Sequence, residues 1–237
     1  MKSDKSEQYA VDLVQTYLRL NGFFTTRNFT MHCQKKGSGA LGDIDIFAIH
    51  LPGGKELVLS NGGALVKLPN DSILDLRDDI IEVVIAEVKT GGDINHNWNK
   101  PAKLKRVATY VGRYLGVGEP EIWNQEDLSN LGALRKVHVK GVSGLEISVR
   151  IIVFCEEDTS EAGRIQLDRC ADFVIKRFGG FCNGKPVKDR YCEYVGLMRD
   201  VSNAADGVNQ DIEKARDDSV QLPIKFAELM EVLYGND

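Results

Sequence analysis

The chain has 237 residues, 43% of them hydrophobic and 27% charged, a globular composition that excludes a disordered polypeptide. Lysine and arginine number 30 against 35 aspartates and glutamates, for a formal charge of -5. A surface that grips nucleic acid by bulk positive charge is therefore excluded, whereas a local basic patch is not.

The length suits one large domain or two small ones. Met1 to Glu7 contains no apolar h-region, so no secretory signal is expected. Glu82, Glu87 and Arg150 interrupt the most apolar runs, and no bilayer-spanning segment or membrane partner is expected. The 5 cysteines are dispersed, without a Cys-x-x-Cys pair, and read as reduced thiols of a cytoplasmic protein.

Ser6 to Asn21 predicts an amphipathic helix with Ala10, Val11, Val14, Tyr17 and Leu18 on its buried stripe and Gly22 at its end. Phe23 to Met31 has the aromatic and β-branched composition of a strand. After the glycine-rich turn Gly37 to Gly42, Asp43 to Ile49 alternates with a period of two. Ile44, Ile46 and Ala48 are expected on one face, Asp43, Asp45 and Phe47 on the other. Residues 51 to 79 read as an excursion carrying a hairpin, Glu56 to Leu59 with Ala64 to Leu68.

Ile80 to Lys89 is nearly continuously β-branched, as suits a central strand covered on both faces. A helix is expected from Asn97 to Leu115, buried along Leu104, Val107, Ala108, Val111 and Leu115, and a strand from Glu146 to Phe154. Beyond these lie an expected helix from Glu161 to Phe178, a strand or irregular segment near Tyr191 to Met198, a helical polar stretch from Asp200 to Ser219, and a last helix opened by Pro223. The fold class is α/β, a mixed sheet with an α-β-β-β-α-β core. Two hairpin-joined strands are antiparallel, and a helical crossover leads to the last strand.

Glu87-Val88-Lys89 is the one acid-x-Lys triplet in the chain. Composition alone would supply about one in a chain of this length, so its context carries the weight. Residues two apart on a strand share a face, which puts Glu87 and Lys89 in line with Ile81, Val83 and Ile85. Ending an apolar strand, they escape a desolvation penalty only where water or a ligand meets them. If the strand of Asp43 and Asp45 pairs with it, a carboxylate from each meets at one rim of the sheet.

Such carboxylates repel unless a cation lies between them. Hard oxygen ligands suit Mg²⁺, with Mn²⁺ as a substitute. A metal of this kind neutralises phosphoryl charge and acidifies the attacking water, and a neighbouring lysine orients that water or holds phosphate. Asp45, Glu87 and Lys89 thus form a minimal set for metal-dependent phosphodiester cleavage.

The order helix, strand, Gly-Asp-Ile-Asp-Ile, strand, Glu-Val-Lys, helix, strand resembles the PD-(D/E)XK phosphodiesterase superfamily of restriction-endonuclease-like nucleases. The resemblance covers roughly residues 5 to 155. It implies Asp45 as the first metal-binding acid, Glu87 and Lys89 as the (D/E)-x-K pair, the main-chain carbonyl of Val88 as a further ligand, and Glu7 as a glutamate near the metal. Ile44 stands where the family often has proline. Asp43 and Asp45 both remain candidates, Asp45 preferred because Ile46-Phe47-Ala48-Ile49 follows it.

Each residue also has a plainer reading. Asp4-x-x-Glu7 has capping-box spacing, although Glu7 also lies along the stripe of Ala10, Val11 and Val14. Asp43 and Asp45 could be turn residues after Gly42. Glu87 and Lys89 could be a solvated ion pair. Lys100, Lys103 and Arg106 lie on an acid-free helix that could be a solvated face; starting beside the expected metal site, they read as phosphate contacts. Trp98 suits base stacking or packing at the helix start. The 4 histidines have no ligand spacing and receive no catalytic role. Gly37-x-Gly39-x-x-Gly42 fits a dinucleotide-binding pattern but precedes a strand rather than a helix, and is rejected.

The expectation is therefore an Mg²⁺-dependent nuclease acting on DNA in preference to RNA, with a nuclease-like core over residues 1–155 and a helical C-terminal extension over 156–237 packed on it. The alternative is a non-catalytic nucleic-acid-binding or scaffolding protein on the same sheet. Oligomeric state, DNA form and pathway are left open by the sequence.

Overall fold

A computed structural model describes residues 2–31, 42–59, 64–91, 101–115, 136–140, 146–157 and 163–181. Helix α1 (Lys2–Leu20) buries Ala10, Val11, Val14, Tyr17 and Leu18, the stripe its spacing demands. It stops at Gly22, whose φ of 83° is a left-handed conformation free of Cβ strain in glycine. A Cβ there would also lie 2.8 Å from the carbonyl carbon of Gly54, so this glycine lets two backbones touch.

Strands β1 (Phe23–Met31) and β2 (Gly42–His50) pair antiparallel, and β3 (Leu57–Leu59) with β4 (Leu65–Lys67) forms the separate hairpin expected within the excursion. A 3-10 turn over Ser72–Leu74 leads to β5 (Ile81–Lys89). Then come α2 (Pro101–Tyr114), opened by a proline that needs no hydrogen-bond partner in the first turn, and β6 (Lys136–Lys140). β7 (Glu146–Cys155), β8 (Arg164–Gln166) and α3 (Leu167–Phe181) complete the described chain.

The main sheet has 6 strands in the order β1-β2-β5-β7-β6, with β8 also pairing β7. β5 runs parallel to β7, and β7 to β8; β1–β2, β2–β5 and β6–β7 are antiparallel. The protein is thus α/β with a mixed open sheet. Parallel neighbours need a long crossover, and α2 lies in the connection between β5 and β7.

One face of the sheet packs Ile46, Ala48, Val84, Ala86, Val88, Ile152 and Phe154 against α1 and α3. The other packs Ile44, Phe47, Val83, Ile85, Val149 and Ile151 against Val107 and Val111 of α2. β5 serves both, which is why its sequence is apolar on alternate and intervening positions alike. Full burial stabilises each such side chain by roughly 1.5–3 kcal/mol.

Three sequence expectations change. The helix expected from Glu161 begins only at Leu167, because Arg164–Gln166 first adds a strand that sends Ile165 into the core. β6 was not anticipated, although Lys136-Val137-His138-Val139-Lys140 alternates as a strand should. The strict alternation expected of β2 fails at its start: Ile44 joins the cluster of Phe47, on the opposite face from Ile46 and Ala48. Beyond residue 155, β8 and α3 share the sheet and core of the preceding chain. The segments expected near 191–198, 200–219 and after Pro223 lie outside the described residues. Among the described residues no helix is long and apolar enough to cross a membrane.

Polar side chains fasten the excursion to the core. Buried Asp71 accepts from Tyr17 Oη at 3.0 Å, from Ile73 N–H at 3.2 Å and from Arg169 Nη2 at 2.5 Å, while its own N–H donates to Asn21 Oδ1 at 2.6 Å. Buried Arg150 donates from Nε to Glu82 Oε2 at 2.8 Å and from its terminal nitrogens to the carbonyls of Leu74 and Asp75.

Candidate functional site

The β2–β5 ladder runs from His50 opposite Glu82 to Ile46 opposite Ala86, where the pairing ends. One step further, the same register sets Asp45 opposite Glu87. There the backbones exchange a side-chain contact instead: Asp45 Oδ2 accepts the N–H of Val88 at 2.7 Å. On the other side of Asp45, the β1–β2 ladder pairs Arg27 with Ile46 and Phe29 with Ile44 but skips Asn28. Asn28 has a left-handed φ of 48°, which asparagine tolerates better than most residues. The irregularity meets β2 on both of its neighbours at the point where Ile44 changes face. It turns the Asp45 carboxylate toward β5.

N–H and C=O of one strand residue leave the same edge in an antiparallel pairing, so the Val88 carbonyl opens into the gap that Asp45 occupies. Glu87 and Lys89 sit on either side of Val88, both on the face of Val83 and Ile85, and are joined by Lys89 Nζ to Glu87 Oε1 at 2.9 Å. Glu87 is 9% exposed, and its Oε2 is buried without a hydrogen-bond partner among the described residues.

Burial raises the Asp45 pKa above its ordinary value; the Val88 N–H and the Lys89 charge oppose this, and the charges of Glu87 and Glu7 reinforce it. For Lys89, burial acts to lower the pKa, but the hydrogen bond and charge of Glu87, with Asp45 and Glu7, outweigh it and hold the group above its ordinary value. Lys89 is therefore an ammonium at neutral pH, a donor and point charge rather than a base. Glu7, exposed on α1, is near enough for its charge to act weakly on both Asp45 and Lys89. Its helix already begins at Lys2, which places Asp4 inside α1 and removes the capping-box reading.

Asp45, Glu87, Val88 and Lys89 are thus brought together at one end of β2 and β5, and Glu7 reaches them by its charge alone. Asp43, exposed and paired with Thr30, stays on the outer part of β2. Lys103 and Arg106 lie on α2, their side chains outside what is described; Lys100 and Trp98 lie outside the described residues. Among the described residues no group of three or more His, Cys, Asp and Glu side chains forms a cation-binding cluster. Sequence reasoning missed the left-handed Asn28 that accompanies the Asp45 turn; its signal was a residue with αL tolerance inside a β-branched run.

The fold and this rim define an α/β protein with an acid, acid and lysine cluster where its two central strands part. Compared with protein-family models, curated proteins and solved structures, the chain finds no match.

Proposed function

We propose that the chain is an Mg²⁺-dependent nuclease of the restriction-endonuclease-like fold that hydrolyses phosphodiester bonds in DNA. The observation that carries this reading is the partnerless, buried Glu87 Oε2 on the rim that holds the Asp45 carboxylate and Lys89. A buried carboxylate oxygen without a donor is costly unless a cation meets it. The available donors are all oxygens: the two carboxylates and the Val88 carbonyl. That set fits Mg²⁺, which uses one or two carboxylates and fills its remaining positions with water and substrate phosphate. Mn²⁺ fits the same donors.

A bound dication supplies charge neutralisation at the phosphoryl group and a more acidic attacking water. Asp45 and Glu87 hold that ion. Lys89, protonated and next to Val88, leaves Glu87 to orient the water or a phosphate oxygen. Glu7 adds negative charge that keeps Lys89 protonated. The acid-free helix carrying Lys103 and Arg106 follows the Glu-Val-Lys strand and contacts the phosphate backbone, as does Lys100 before it.

A second reading, a non-catalytic nucleic-acid-binding or scaffolding protein on the same sheet, draws support from the small size of the acid set among the described residues. Incubating the protein with linear, nicked and branched DNA and with RNA, in Mg²⁺ or Mn²⁺, separates the two. Cleavage lost in Asp45→Ala and Lys89→Ala supports the nuclease; cleavage that survives both unchanged, or DNA binding without any cleavage, supports the rival.

A further inference from the structure

At the end of the sheet away from Asp45 and Glu87, a polar row crosses the three central strands. His50 of β2 is the ladder partner of Glu82 on β5, and Glu82 is the partner of Ser148 on β7. Directly opposed residues have Cβ atoms about 4.5–5.5 Å apart and share a face. All three are 0% exposed. Each keeps a buried polar atom without a partner among the described residues: His50 Nδ1, Glu82 Oε1 and Ser148 Oγ.

The protonation pattern follows from the partners that are present. His50 Nε2 lies 2.6 Å from the Gly54 carbonyl, which can only accept, so Nε2 carries the proton. Nδ1 of the neutral ring is then an acceptor. Glu82 Oε2 takes the Arg150 guanidinium at 2.8 Å, so the charge of Glu82 is matched and Oε1 offers lone pairs alone. Two acceptors therefore belong to side chains at directly opposed ladder positions, next to a serine whose hydroxyl can donate one hydrogen only.

We propose that His50, Glu82 and Ser148 form a buried binding site for one water molecule. Its two hydrogens go to His50 Nδ1 and Glu82 Oε1, and its oxygen accepts from Ser148 Oγ. Three hydrogen bonds are typical of an internal water. A cation is disfavoured because Arg150 already balances Glu82, and a larger ligand by the complete burial of all three side chains. Ser148 is the shortest of the three side chains. The neighbours that close the site include the Phe23 ring, 5.1 Å from the His50 ring, and the Gly54, Leu74 and Asp75 carbonyls held by His50 and Arg150. Burial holds the His50 pKa below its ordinary value; the Gly54 hydrogen bond and the charges of Glu82 and Asp78 act against this, and Lys55 adds to it.

Neutron diffraction from crystals of the whole chain grown in D₂O tests this. The expected map has one D₂O with its oxygen within about 3.2 Å of all three atoms and its deuterons on Nδ1 and Oε1. A deuteron on His50 Nδ1 aimed straight at Glu82, or Ser148 donating directly to Glu82 with no D₂O between, overturns the proposal. Ser148→Val supplies a second readout by filling the space. In the folded variant the ¹⁵N resonance of His50 Nδ1 should move toward that of a free imidazole acceptor, and an unchanged resonance counts against the water.

Discussion

Asp45 and Val88 are joined by a side-chain to main-chain hydrogen bond of 2.7 Å at the point where a regular β2–β5 ladder would continue through backbone atoms alone. The carboxylate is therefore held by the strand that carries Glu87 and Lys89, and its charge is paid for by the fold. Because its folded pKa is raised, Asp45 favours folding most below its unfolded value, and that contribution is lost as pH rises through the folded value. At neutral pH without metal the ionised group opposes folding. Asp45→Asn should raise the melting temperature by roughly 1–3 °C in EDTA at pH 7. The gain should shrink as the pH falls toward 4, followed by circular dichroism.

Lys89 contributes a charge to the reacting group rather than a ligand to the ion. Lys89→Ala should lower cleavage by about 10²–10³-fold, the usual effect of removing one electrostatic donor. It should leave Mn²⁺ affinity equal or higher, since Glu87 Oε1 loses its competitor at 2.9 Å. Single-turnover kinetics and Mn²⁺ titration on the same preparation check the split.

Asp71 sets an acid limit on the fold. Burial alone would raise its pKa, but hydrogen bonds from Arg169, Ile73 N–H and Tyr17 outweigh burial and hold it below the ordinary carboxylate value. The sign is opposite to that of Asp45: the stabilisation is present above the unfolded pKa and disappears as pH falls through the depressed folded one. Asp71→Ala should cost about 2–4 kcal/mol at pH 7. The deficit should close below pH 4, as urea unfolding across that range would report.

Arg150 holds Glu82 and two carbonyls of the excursion at once. Arg150→Leu should destabilise by about 3–5 kcal/mol, because it strands a buried carboxylate. The paired replacement Arg150→Leu with Glu82→Leu should recover most of this loss, as a double-mutant cycle by chemical denaturation would measure.

The α1 stripe, the antiparallel pair β1–β2, the central position of β5 and the crossover to β7 were all legible, because each is written as a hydrophobic period local to one element. The same was true of Glu87 and Lys89 sharing a face. The break in the ladder at Asp45 was not legible: it coincides with Asn28, seventeen residues earlier in the chain, adopting a left-handed φ across from it. The polar row was half visible. Glu82 and Arg150 stood out as opposite charges inside apolar strands, yet only strand order sets Glu82 between His50 and Ser148. Short β8 carries a single inward residue, Ile165, too little for a period to declare itself.

Electron paramagnetic resonance of Mn²⁺ titrated into the wild-type chain, Asp45→Asn and Glu87→Gln addresses the oxygen-lined rim most directly. Saturable binding by the wild type that is lost or strongly weakened in both variants is the predicted result. Binding that is undetectable in the wild type, or equal in all three proteins, would contradict it.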